Sequence, residues 1–189
     1  MEAVREYFND VPEFTQTVWE AFSEKLEKVI IPKKSTIVEL EDTENYIWFI
    51  ESGDARFVIP SFEEDLTFGF AFSNEFFSAY DSFIAKEPCA YQIKAISECV
   101  TYRIHRDDLE ELYATIPNAA AIGRQMAEES FIRKKKREMS FLIQSAEERY
   151  LELFTSKPTI IKTMPLKYVA SFIGVTPQAL SRIRARIVA

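Results

Sequence analysis

The chain has 189 residues, 47% of them hydrophobic and 28% charged, with a net charge of −7. That balance fits a folded soluble protein of one or two domains and excludes a disordered one. Two cysteines, Cys89 and Cys99, and the single His105 are too few for a disulfide framework, a four-cysteine iron–sulfur or zinc centre, or a histidine metal site, so no cofactor is expected.

The acidic start "MEAVREYFNDVPEF" lacks the apolar stretch of a signal peptide, and no apolar run approaches the ~18 residues that cross a membrane. A cytoplasmic location without a membrane partner is expected. Residues 13–29 place Phe14, Val18, Phe22, Leu26 and Val29 at helical spacing, which predicts an amphipathic helix. From Val29 to Arg103 the texture changes to short β-rich runs: "VIIP", "STIVEL", "NYIWFIE", "ARFVIP", "LTFGFAF", "YQIKAI" and "VTYRI", divided by turn signals such as "ESGD". Such runs at near-regular spacing predict an antiparallel, jelly-roll-like β-roll rather than a parallel α/β sheet.

Helical texture returns at "RDDLEELYATI", whose early carboxylates suit a helix N-terminus. Residues 118–142 contain no proline and predict one long helix. Its apolar and small residues, among them Ala119, Ala120, Ile122, Gly123, Met126, Ala127, Phe131 and Ile132, exceed what a single solvated helix needs. We expect a dimer helix built on Ala119, Ile122, Gly123, Met126 and Ala127. The run "RKKKR" at 133–137 reads as a solvated face. Ser145 and Glu148 form the S-x-x-E pattern of a capping box that opens another helix, ended by Lys157-Pro158.

The last two elements carry the most information. Pro165 opens a helix with Leu166, Val169, Ala170 and Ile173 on one face; Gly174 supplies a turn; Thr176 caps the next helix and Pro177 takes its first position. Ala179, Leu180, Ile183 and Ile187 share the inner side of that second helix, and Gln178, Ser181 and Arg182 the outer. This is a helix-turn-helix pattern. Arg182 and Gln178 have the donors and acceptors that read base edges, while Lys167, Arg184 and Arg186 suit phosphates. Charge agrees: residues 1–116 hold 10 Lys+Arg against 24 Asp+Glu, net −14, and residues 117–189 hold 13 against 6, net +7.

The order of helix, β-roll, long helix and helix-turn-helix resembles the Crp/Fnr family of bacterial transcription regulators, most specifically through "YVASFIGVTPQALSRIR" at 168–184. The resemblance implies an α+β fold: a cyclic-nucleotide-binding-like roll over 1–116, a dimerisation helix over 117–143 and a small all-α DNA-binding domain over 144–189. It places base contacts on Pro177, Gln178 and Arg182, with Thr176 and Ser181 beside them. Its partners would be double-stranded DNA with a near-palindromic operator, a second copy of the chain, an unidentified small-molecule effector and RNA polymerase. The nucleotide cassette of the family departs here. Ser78 and Ala79 stand at the Gly-Glu positions, and Cys89 and Ala90 at the Arg-Ser/Thr positions, so the charged groups for phosphate and ribose are missing. Tight cAMP or cGMP binding is not expected. Phe77, Ser78, Ala79, Tyr80, Cys89, Ala90 and Tyr91 are the candidate lining of an effector pocket. The family's β-hairpin wing has no counterpart in the three residues after Arg186.

A second reading is a sensor that acts through protein contacts with a degenerate helix-turn-helix. An enzyme is not expected. No Ser/His/Asp or Cys/His set is present, and paired acids such as Glu63-Glu64 and Glu110-Glu111 read as solvated surface.

Overall fold

The computed structural model describes residues 1–62 and 64–188. Glu63 of the Glu63-Glu64 pair, and Ala189, lie outside the described residues. The chain divides into two compact units, one of Met1–Ile59 with Phe70–Glu128, the other of Pro60–Gly69 with the residues from Glu129 onward.

The first unit is built on eight strands, β1 (Glu27–Ile31), β2 (Thr36–Val38), β3 (Tyr46–Ser52), β4 (Ala55–Ile59), β5 (Leu66–Ala71), β6 (Glu75–Phe77), β7 (Gln92–Ala95) and β8 (Cys99–His105), of which β5 runs on from the second unit. They form two four-stranded sheets, ordered β1-β8-β3-β6 and β2-β7-β4-β5. The β3 and β8 ladder is antiparallel, pairing Ile47 with Ile104 and Phe49 with Tyr102. Alternation along these strands sends Phe49 and Tyr102 to one face, where they join Val4, Phe8, Val18 and Ile122 in a buried cluster. Trp48 faces the other way and stacks on Phe77, with ring centroids 6.1 Å apart.

Helices α1 (Glu2–Tyr7) and α2 (Gln16–Glu24), α3 (Tyr80–Ala85), α4 (Arg106–Thr115) and the first part of α5 (Ala119–Ile143) complete this unit. The expected helix over 13–29 is shorter: α2 stops at Glu24, and Val29 lies in β1 opposite Thr101. Ladder hydrogen bonds to β8 outweigh helical periodicity there. Short α1, β6 and α3 carry too few residues for a period to show in sequence. At Gly123 an added Cβ would lie 2.1 Å from the Tyr113 hydroxyl, so the tip of the Tyr113 side chain rests against α5 there.

The second unit holds the rest of α5, then α6 (Ala146–Ser156), α7 (Pro158–Thr163), α8 (Leu166–Ile173) and α9 (Pro177–Val188). The Ser145–Glu148 capping box is formed at the start of α6. The segment "TIIKTM" yields α7, a single short helix opened by Pro158 and anchored by fully buried Ile160. Tyr150, Leu153, Ile160, Val169, Ala170, Ile173, Leu180 and Ile183 are buried and make up this unit's core. No helix among the described residues is long and apolar enough to cross a membrane.

Candidate nucleic-acid interface and roll interior

Gly174 ends α8 at φ 79°, in the left-handed region. Val175 N–H donates to Ala170 O at 2.9 Å and Gly174 N–H to Ser171 O at 3.0 Å. This pair of bonds is a Schellman turn, and it satisfies carbonyls that the helix end would leave bare. Thr176 Oγ1 then accepts from Ala179 N–H at 3.2 Å and caps α9. Leu180 and Ile183 are buried, so α9 is held by its apolar side, and Gln178, Ser181, Arg182 and Arg184 are exposed on the other.

Two arginines fix the turn from behind. Arg137 Nη2 donates to Phe172 O at 2.9 Å and Arg149 Nε to Ile173 O at 3.0 Å, so both supply the last carbonyls of α8. Their guanidinium groups each lie 4.5 Å from the ring centre of Phe141, which stands between them. Burial, aided by the nearby charge of Arg149, lowers the Arg137 pKa to about 10, still far above neutrality. Arg137 therefore departs from the expected solvated face, while Arg133, Lys134, Lys135 and Lys136 are exposed as expected. No local signal separates Arg137 from its neighbours in the basic run, because its partners lie 35 residues away in α8.

The cations on this surface are not equivalent. Lys167 pairs with Glu64 at 3.4 Å and Arg186 with Glu147 at 2.7 Å. Exposed pairs of this kind contribute about 0–1 kcal/mol, which a phosphate can match. Arg182 and Arg184 have no ion-pair partner among the described residues and are available without breaking one. Pro177 opens α9 and leaves readout to its neighbours, since it has no polar side-chain atom. Ser181 Oγ bonds back to Pro177 O at 3.0 Å.

The dimer-helix residues divide differently from expectation. Ala119 and Ile122 are buried in the first unit, Gly123 abuts Tyr113, and Met126 packs on the same cluster as Ile122. Ala127 is half-buried. The free apolar stripe is further along α5: Phe131, Ile132, Met139, Leu142 and Ile143 are all exposed. At 100° per residue they span one side of the helix, opposite Arg137 and Phe141. Among the small residues early in α5, Gly123 meets the Tyr113 side chain of α4 within the same chain.

The roll interior is closed by its own polar groups. The carboxylate of buried Glu44 accepts from Tyr46 N–H at 2.8 Å and Trp48 Nε1–H at 3.2 Å. Arg106, also buried, donates to Glu44 O at 2.6 Å, the backbone atom and not the carboxylate. Ser78 Oγ donates to Tyr46 O at 2.9 Å, and the Tyr91 hydroxyl donates to Asp81. Phe77, Ser78, Ala79, Cys89 and Tyr91 are thus buried among satisfied partners, while Ala90 is exposed. Tyr80 stands apart from them, stacked on Phe83 toward α4. Burial pushes the Cys89 thiol upward, which keeps it protonated, and burial with the Asp81 bond raises Tyr91. His105 Nδ1 accepts from Asp107 N–H at 3.2 Å and caps α4. Among the described residues no cluster of three metal-ligating side chains occurs.

Burial raises the Glu44 pKa above its ordinary 4.5. The folded state then keeps a proton that the unfolded chain has released, so this group's contribution to stability falls as pH rises from 4.5 through the elevated value. Denaturant titrations of wild type and Glu44→Gln should show wild type losing stability relative to the variant across that window. A pH-independent difference would assign the shift to another group.

Residues 28–115, the roll and its helices, match the family of cyclic nucleotide-binding domains. With α5 and the helix-turn-helix, the chain as a whole has the fold of the Crp/Fnr regulators. It is similar to the c-di-GMP responsive global regulator CLP of Xanthomonas campestris, at 15% identity over 92% of both chains with a TM-score of 0.69. It is also similar to FixK2 of Bradyrhizobium japonicum, at 13% identity and a TM-score of 0.72 over 86% of this chain and 84% of that one. A transcriptional regulator from Eubacterium rectale assigned to the Crp/Fnr family matches at 16% identity and a TM-score of 0.69, over 97% of this chain and 88% of that one. No curated protein sequence matches the chain.

Proposed function

We propose that this protein is a homodimeric, sequence-specific DNA-binding transcription regulator of the Crp/Fnr type, and that neither cAMP nor cGMP is its effector. The observation that carries the reading is α9: a capped helix held by buried Leu180 and Ile183, with Gln178, Arg182 and Arg184 exposed and the two arginines unpaired among the described residues. Arg182 offers two donors to guanine O6 and N7, and Gln178 suits adenine N6 and N7. The net +7 of residues 117–189 supplies the attraction to phosphate. The exposed stripe on α5 would pair two copies, placing two recognition helices about 34 Å apart on a near-palindromic site. Against a nucleotide effector stand the absent cation at Cys89 and the Tyr46 amide and Trp48 indole already committed to Glu44.

Random-sequence selection followed by gel shift tests the reading. Arg182→Ala is expected to cost about 1–3 kcal/mol and relax preference at one base per half-site, whereas Arg184→Ala should weaken all sequences alike and flatten the salt slope by about one. If no sequence is enriched and affinity is insensitive to salt, DNA reading fails and a sensor acting through protein contacts takes its place.

A further inference from the structure

The outer side of the β1-β8-β3-β6 sheet carries a cavity of about 130 Å³, bounded by α2, α3, α4 and α5. Its walls include Val18, Ile104, Leu112, Ala119 and Ile122, and no charged side chain lines it. The cavity is separate from the roll interior, since Trp48, Phe77 and Tyr91 lie on the opposite face of the sheet and take no part in it. The only side-chain polar atoms on its wall are the hydroxyls of Tyr80 and Tyr113. Burial raises Tyr80 and raises Tyr113 to about 12, so both stay neutral at physiological pH. Neither hydroxyl hydrogen-bonds to another described residue. Tyr113 is also 38% exposed, so the cavity reaches the surface beside it.

We infer that this cavity is a binding site for a small, neutral, largely apolar molecule of about one aromatic ring, with at most one hydrogen-bonding group directed at Tyr80 and Tyr113. An apolar space of roughly this size takes up benzene-sized guests, because water along its apolar walls lacks the two to four polar partners it needs. The absence of a cation on the wall excludes nucleotides and other anions, whose desolvation nothing would offset. α5 supplies Ala119, Ile122, Gly123 and Met126 to the wall, so an occupant bears directly on that helix. The inference does not depend on DNA reading, and its test uses the free protein.

Toluene and p-cresol serve as probes of the full chain, with benzoate as the charged comparison. Both neutral probes are expected to raise the melting temperature saturably, p-cresol binding more tightly, and benzoate to have no such effect. Tyr113→Phe should lower p-cresol affinity roughly three- to tenfold and leave toluene unchanged. Ala119→Leu fills the space; it should melt at or above the wild-type temperature and gain nothing from either probe. Intermolecular NOEs from p-cresol to the Ile104 and Ile122 methyls of the unmodified protein locate the site even if that variant does not fold. No saturable shift, equal binding of benzoate, an undiminished response in Ala119→Leu, or NOEs elsewhere would each overturn the inference.

Discussion

Replacing Ile132 and Leu142 together with glutamate is expected to leave the protein monomeric and to lower its affinity for a two-half-site operator by about 100-fold or more. The two side chains are 51% and 72% exposed, so neither supports its own chain's core. Surface substitutions of this kind usually shift stability by about 0.5 kcal/mol or less. In a pair of α5 helices the same positions would be buried, and four glutamates would then meet in an apolar seam at a cost well beyond the gain from pairing. Two linked recognition helices gain about 10²–10⁴ over one through effective concentration, and that factor is what a monomer forfeits. Light scattering should report one chain, the thermal melt should change little, and affinity for an isolated half-site should be preserved. The same substitutions leaving a dimer would move the interface off α5.

Gly174→Val is expected to abolish DNA binding by unfolding the turn between α8 and α9. A β-branched residue at φ 79° costs about 1–2 kcal/mol or more from backbone sterics alone. The added Cβ would also lie 2.6 Å from the Phe141 ring, which Arg137 and Arg149 flank. The two terms together reach several kcal/mol, a large fraction of what a small domain has. Hydrogen exchange should show protection lost across 144–188 and kept in the strands of the roll. Gly174→Asn separates the causes: asparagine accepts the left-handed conformation but still meets Phe141, so it should fall between the two. An asparagine variant as stable as wild type would mean that Phe141 gives way freely.

Elements with a local physical cause could be read from the sequence. The capping box at Ser145, the glycine turn at Gly174 and the Thr176-Pro177 start are each set within a few residues, and the helices they bound stand where expected. Seven strands were legible from alternation; β6, three residues long, was not. What escaped depends on distance along the chain. Arg137 looks like any other member of a basic run until α8 folds against it. Glu44 looks like one more surface acid until Tyr46 and Trp48 of β3 close around it. The stripe on α5 illustrates the same limit: its residues announced a helix with two sticky sides, but only the fold shows that α4 and the roll take the first half and leave the second open.

The Glu44 carboxylate occupies donors inside the roll in a way that a single substitution would not convert into an anion site. The carboxylate already engages the Tyr46 amide and the Trp48 indole, so installing an arginine at Cys89 would produce an internal ion pair and no vacancy. Removing the Glu44 carboxylate alone would free those donors and offer no counter-charge. Recovery of anion binding would require both changes at once, and either intermediate gains nothing on the way. An anion site in this roll is therefore a two-residue change, each half silent until the other is made.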